Sequence, residues 1–284
     1  MNIGHITPGS WMGAPAPAKL NLFLKVTGRR PDGYHELQTL FTFLDYGDTL
    51  DFVLREDGSI ERETEWEGVP ATQDLILRAA TLLQAAARVS QGVSVRLVKR
   101  LPMGGGLGGG SSDAATTLLV LNRLWGVNWT SQRLAELGLR LGADVPVFVQ
   151  GMSALARGVG EILQPVAVPE RWYVVVFPGV GLSTAAVFSA PDLTRNAIPV
   201  RIQDFSGKGV GNDLVPVACR LEPKIHRLMA WLGQYGEARM SGSGSCCFLD
   251  FEREFQARQV YDVLPDDYSG FVARGQLHHP LRNR

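Results

Sequence analysis

The sequence predicts an α+β fold, and three observations carry that prediction. Segments that alternate apolar and polar residues, the mark of half-buried strands, recur in both halves of the chain. Helical stretches lie among them without the steady βαβ rhythm of a doubly wound sheet. Of the 284 residues, 45% are hydrophobic, enough for one large core or two moderate ones.

Residues 1–13 carry glycine and proline with no clear periodicity and read as a loose N-terminal extension. No basic segment leads into a long apolar core, and no run of 18 apolar residues occurs, so neither a secretory signal nor a membrane association is expected. From Ala16 to Gly28, Leu20, Leu22, Leu24 and Val26 alternate with Lys19, Asn21, Phe23 and Lys25. A strand there puts the first set on one face and the second on the other. Asp32-Gly33 marks a turn, and ELQTLFTFLDYGDTLDFVL reads as two strands broken at Gly47. Residues 75–90 are rich in Ala and Leu and read as a helix capped by Asp74.

Residues 93–98 alternate as a strand. A glycine-rich loop follows, then a helix over about 112–125 and another, capped by Thr130 or Ser131, that ends near Gly142. Short strands are expected around 152–164 and a buried one at 172–177. Helices at 213–221 and 223–233, a strand near 237–241, a helix over roughly 252–264 and a strand at 270–274 complete the order. A boundary between 150 and 170 divides the chain into an N-terminal domain, 14–160, and a C-terminal domain, 161–284.

Lys plus Arg equals Asp plus Glu at 28 each, so the basic footprint of a nucleic-acid binder is missing and no nucleic-acid partner is expected. The three cysteines, Cys219, Cys246 and Cys247, are odd in number and fit no CxxC or Cys/His spacing. Neither a disulfide framework nor a zinc site is expected, and a reduced, cytoplasmic setting fits. Cys246 and Cys247 read as small core residues. The sequence leaves the oligomeric state open.

Six glycines between Gly104 and Gly110 are broken only by Leu107, and Ser111 and Ser112 follow. Successive N–H groups in such a loop converge on an anion, and the next helix adds the positive end of its dipole. Ser111 and Ser112 stand where hydroxyls reach phosphate oxygens or a magnesium ion. A Walker A motif is excluded because the loop has no lysine. The dinucleotide fingerprint fits Gly104, Gly106 and Gly109 only when forced, with no acidic-ended strand behind it. The alternative is a flexible loop with a serine cap; the entropy that glycine loses on ordering argues against it.

LPMGGGLGGGSSDAA resembles the phosphate-binding motif of the kinase superfamily named for galactokinase, homoserine, mevalonate and phosphomevalonate kinases. ARMSGSGSCCFLDF at 238–251 resembles its third motif. PAPAKLNLFLKVTGRRPDGYHEL at 15–37 is more specific and is similar to the opening of the 4-diphosphocytidyl-2-C-methyl-D-erythritol kinase family. GADVPVFVQG at 142–151 and GNDL at 211–214 agree with that family, and the resemblance covers nearly the whole chain beyond the first dozen residues. One departure is Gly-Gly-Gly-Ser-Ser where many superfamily members have Gly-Ser-Ser-Ala.

The resemblance implies a two-domain small-molecule kinase fold. A ribosomal-protein-like N-terminal domain would bind ATP, and a ferredoxin-like C-terminal domain would hold substrate across a cleft. It implies ATP, with Mg2+, as phosphoryl donor. The implied acceptor is a small-molecule cytidine diphosphate substrate, phosphorylated on its 2-hydroxyl in non-mevalonate isoprenoid precursor synthesis. It puts the catalytic base at Asp144 with Lys19 as its partner. Asn21 would hold the substrate hydroxyl or make a structural hydrogen bond. Tyr34 and His35 would contact the cytosine, with Phe188 as the opposite wall and Thr184 near the substrate phosphates. Pro102, Gly104, Gly105, Gly106, Leu107, Gly108, Gly109, Gly110, Ser111 and Ser112 would surround the ATP phosphates. Ser241, Gly242, Ser243 and Gly244 would add donors there, and Lys99 and Asn122 are candidates for adenosine. No residue stands out as a dedicated magnesium ligand; Asp113 reads as favouring a helix N-terminus.

Judged by residue type alone, Asp144 reads first as a turn aspartate, Lys19 as a solvated strand lysine and Phe188 as a core residue; the resemblance reverses that order. Two other functions compete: a homoserine or mevalonate kinase, and a nucleotide-binding protein without catalysis. Tyr34-His35 argues against the first, whose substrates carry no base to stack, and the Lys19 and Asp144 pair argues against the second.

Overall fold

One long strand organises the molecule. In the structure, a computed structural model that describes residues 1–63, 69–201 and 209–282, β1 (His5–Thr7) turns into β2 (Ser10–Arg29), and the Asp32-Gly33 turn returns the chain as β3 (His35–Arg55). β2 and β3 are antiparallel along their length. β3 changes partners on its other edge: first β6 (Ala154–Gly158), then β11 (Ser269–Gln276), then β5 (Gly92–Val98), all antiparallel. The break expected at Gly47 therefore does not end the strand. Gly47 pairs with Pro17 beside a bulge, and a Cβ on it would stand 2.2 Å from the Ala16 carbonyl oxygen. The glycine serves close backbone approach, just before β3 passes to β5.

Bulges also offset the alternation expected in β2. One falls between Asn21 and Phe23, so Leu20, Leu22 and Phe23 share one core cluster while Leu24 and Val26 enter another. The loose segment expected over 1–13 is instead part of the sheet. β1 pairs with the start of β2, Trp11 is buried in the main core, and its indole Nε1 donates to Ile3 O at 2.8 Å. The large apolar ring outweighs the freedom that the neighbouring glycines suggest.

Four helices pack on β2, β3 and β5: α1 (Leu75–Ala87), α2 (Gly109–Leu124), α3 (Ser131–Leu139) and α4 (Val145–Gln150). Asp74 caps α1, accepting from Ile76 N and Leu77 N, and Thr130 caps α3. α2 begins three residues earlier than expected. Gly108, at φ +72°, closes the loop and leaves Gly109, Gly110 and Ser111 in the first turn. α4 was not anticipated; Asp144 heads it and Pro146 opens it.

β4 (Ile60–Arg62) runs parallel to β5, and β7 (Ile162–Pro165) pairs with β6. Beyond β11 the sheet continues through β8 (Trp172–Phe177), β10 (Cys247–Phe251) and β9 (Arg239–Met240). α5 (Thr184–Ser189), α6 (Val215–Leu221), α7 (Pro223–Leu232) and α8 (Glu254–Tyr261) supply the second core. A third cluster, with Leu20, Leu107, Tyr173 and Phe248, fills the seam between the halves. Cys246 lies in that seam and Cys247 in the second core, where burial raises both thiols. Among the described residues, no helix is long and apolar enough to cross a membrane.

Candidate active site

The exit of β5 into the glycine loop is held by Asp48, a fully buried carboxylate on β3. It accepts from Arg100 N at 2.6 Å, Leu101 N at 2.9 Å and Lys99 Nζ at 2.5 Å. Lys99 Nζ also reaches Asp113 Oδ2 on α2 at 3.1 Å. Burial works against the Lys99 charge, but Asp113 and Asp48 outweigh it, and the ammonium titrates above its ordinary value. Burial pushes the Asp113 acid up to about 8, with Lys99 opposing and Asp48 adding. Asp113 thus lies beyond the first turn of α2 and pairs with Lys99, where a role at the helix end was expected.

The loop is tied down through its carbonyls. Gly104 O accepts from Leu182 N and Ser245 N, both at 3.2 Å, and Gly105 O from Cys246 N at 3.0 Å. Gly106 O accepts from Lys19 Nζ at 3.1 Å and Ser241 Oγ at 2.9 Å. The N–H groups of Gly106 to Gly110, by contrast, have no backbone acceptor among the described residues. A rigid row of unpaired donors at a helix N-terminus is an anion site in waiting.

Lys19 lies against this loop. Its Nζ, 2% exposed as a residue, is 3.3 Å from Asp144 Oδ2 and 2.5 Å from Asn21 Oδ1, over the Phe41 ring. The Asp144 side chain keeps about a third of its surface open. Asn21 Nδ2 donates to Thr39 Oγ1 at 2.9 Å, and the Thr39 hydroxyl donates to Phe23 O at 2.5 Å. With its proton committed to a carbonyl, Thr39 can only accept from Asn21, which turns the amide oxygen toward the lysine. Thr39→Val is expected to free the amide to flip and set its NH2 against the ammonium. Steady-state kinetics should find kcat down about tenfold with the KM for nucleotide little changed, and Thr39→Ser should restore it. An unchanged kcat would mean that Asn21 is oriented by something else.

A cleft of about 540 Å3 joins these parts. Lys19, Asp144, the glycine loop, Thr184, Phe188 and Ser243 line it together with Arg62, Gln73, Leu75, Leu97 and Lys99. Thr184 Oγ1 and Ser243 Oγ are 2.7 Å apart, which joins α5 to the third motif. His35 is buried and its ring lies against Phe188, tilted by 34° with ring centroids 5.1 Å apart, while Tyr34 is 64% exposed. Neither lines the cleft directly; His35 reaches it through Phe188.

Several expected residues serve the fold instead. Ser112 is fully buried and donates to Pro17 O at 2.7 Å, and Thr116, one turn on, donates to Pro15 O at 2.9 Å. Their i, i+4 spacing was the available signal that this face of α2 meets β2. Asn122 clamps the backbone of Trp129, accepting from its N at 2.9 Å and donating to its O at 3.1 Å; it does not line the cleft. Ser241 and Gly244 lie behind the cleft wall, where Ser241 Oγ holds Gly106 O. Asp48, Thr39, Arg62 and Gln73 were missed, since single polar residues in strands and turns carry no local signature. No group of three His, Cys, Asp or Glu suited to a metal occurs among the described residues.

Residues 74–152 match the family model described as GHMP kinases N terminal domain, and residues 206–270 match GHMP kinases C terminal. The fold and its cleft are thus those of a small-molecule kinase. The chain is 59% identical to a 4-diphosphocytidyl-2-C-methyl-D-erythritol kinase of Thiobacillus denitrificans, over 94% of this chain and 96% of that protein. It is 56% identical to one of Nitrosomonas europaea, over 94% and 98%. A crystal structure of 4-(cytidine 5'-diphospho)-2C-methyl-D-erythritol kinase superposes with a TM-score of 0.79 at 34% identity, covering 94% of this chain and 98% of that one. The chain belongs to the 4-diphosphocytidyl-2-C-methyl-D-erythritol kinase family.

Proposed function

We propose that the chain transfers the terminal phosphoryl group of ATP to the 2-hydroxyl of 4-diphosphocytidyl-2-C-methyl-D-erythritol. The observation that carries this reading is the Lys19–Asp144 pair, 3.3 Å apart, in one cleft with the unpaired N–H groups of the glycine loop. Those donors suit phosphate oxygens, and Asp144 is open enough to accept a hydroxyl proton. Lys19 pairs with Asp144 at 3.3 Å and offsets charge that develops on the transferred group. The adenosine would lie toward Arg62, Gln73 and Lys99, and the cytosine against His35 and Phe188, with Tyr34 at the rim.

Magnesium fits as an ion brought on the phosphates, where it neutralises charge when bound. Ser111 is the side chain placed to help hold it, Asp113 being paired with Lys99. Magnesium usually keeps several waters and few protein ligands. Three free cysteines accord with a reducing cytoplasm.

The test is ATP consumption with magnesium and one of three acceptors: the cytidyl substrate, mevalonate or homoserine. Turnover with the cytidyl substrate alone is the expected result. Turnover with another alcohol instead would keep the kinase and reject the cytosine pocket. No turnover with any would favour a nucleotide-binding protein.

A further inference from the structure

We propose that Arg195 is a positioning residue that sets the tautomer of His35, and through it the choice of cytosine over uracil in the acceptor. The proposal rests on the reading above that His35 meets the base.

Arg195 follows α5, and its guanidinium is held on three carbonyls. It donates to Leu193 O at 2.9 Å, Ala190 O at 2.7 Å and Phe188 O at 3.2 Å. A fourth N–H, that of Nε, points to His35 Nε2 at 3.0 Å. A guanidinium only donates. Nε2 must therefore carry the lone pair, and in the neutral ring the proton sits on Nδ1. Burial first, then Arg195 and Arg29, lowers the His35 pKa, which keeps the ring neutral with one donor. Its tilted contact with Phe188, itself a wall of the cleft, and the bond to Arg195 together hold the ring. No hydrogen bond among the described residues engages Nδ1, so Nδ1–H is the polar edge left for a ligand.

That edge discriminates between pyrimidines. Cytosine offers N3 as an acceptor; uracil carries a hydrogen on N3. An Nδ1–H donor complements the first and opposes the second. With the proton on Nε2 instead, Nδ1 would accept, and the uracil N3–H would become the better match. A site built around one hydrogen bond rejects the ligand that cannot make it.

The test uses the whole protein labelled with nitrogen-15 histidine, with the His35 signals assigned by comparison with His35→Gln. In the native protein, His35 is expected to be protonated on Nδ1 and bare on Nε2. Arg195→Met should populate the Nε2-protonated form. It should also lower the ratio of kcat/KM for the cytidyl acceptor over its uridyl analogue by about tenfold, with the KM for ATP unchanged. A native His35 protonated on Nε2 overturns the proposal without any variant. So does an unchanged ratio in a folded Arg195→Met protein whose tautomer has shifted. Absence of turnover with the cytidyl acceptor in the native enzyme overturns the acceptor reading and the base choice with it; the tautomer spectrum, recorded without substrate, distinguishes that failure from the first.

Discussion

Asp144→Asn is expected to lower turnover by about 10²–10⁴-fold, the range for removal of a general base, while ATP binding persists. The substitution keeps the shape of the side chain and removes its basicity. It leaves Lys19 with acceptors, since Asn21 Oδ1 and Gly106 O remain at 2.5 Å and 3.1 Å. The lost ion pair involves a carboxylate with a third of its surface open, so little stability should go with it. Lys19→Met is the informative contrast. It removes one donor from two acceptors, Asn21 Oδ1 and Gly106 O, and leaves them to share the single Ser241 hydroxyl proton, so it should reduce thermal stability as well as turnover. Single-turnover kinetics, nucleotide titration and a thermal melt on both variants separate the roles. Near-native turnover in Asp144→Asn would remove it as the base; loss of nucleotide binding would move it into the ATP site.

What could be read from the sequence depended on how local each determinant is. The glycine loop, the strand that carries Lys19 and the cap at Asp74 are each written within a few residues; the cap stands as read, while α2 takes in the end of the loop and bulges shift the faces of the strand. The roles that were missed are set by partners far along the chain. Asp48 acts on residues 99–101, Thr39 on Asn21 and Phe23, and Arg195 on His35 across 160 positions. Nothing in the residues around each of them announces such a partner. Gly47 shows the same limit within a strand. A glycine is a sound signal for a break, yet here it admits the Ala16 carbonyl, and pairing to β5 carries the strand on. Trp11 shows the reverse, a single ring ordering a segment whose composition suggests looseness.

Gly106→Ala is expected to destabilise the protein by about 3–5 kcal/mol, at the top of the range for single substitutions. Two effects add. Gly106 has φ +74°, a conformation that costs an alanine about 1–2 kcal/mol. Its Cβ would also stand 2.1 Å from Ser241 O and 2.9 Å from Gly244 O, backbone atoms that cannot rotate away. Relief requires the loop and the third motif to separate. That strains the bonds across the seam, from Ser241 Oγ to Gly106 O and from Cys246 N to Gly105 O. Gly33→Ala isolates the first effect. Gly33 has φ +88° and nothing within 4 Å of the added carbon, so only the backbone term applies there. Denaturant and thermal midpoints of the two variants give the difference. A larger loss at Gly106, with a fall in kcat through its carbonyl contact to Lys19, is the outcome that a welded junction requires. Equal losses would mean that the loop yields independently of the third motif, and that the rigidity of the phosphate cradle comes from α2 alone.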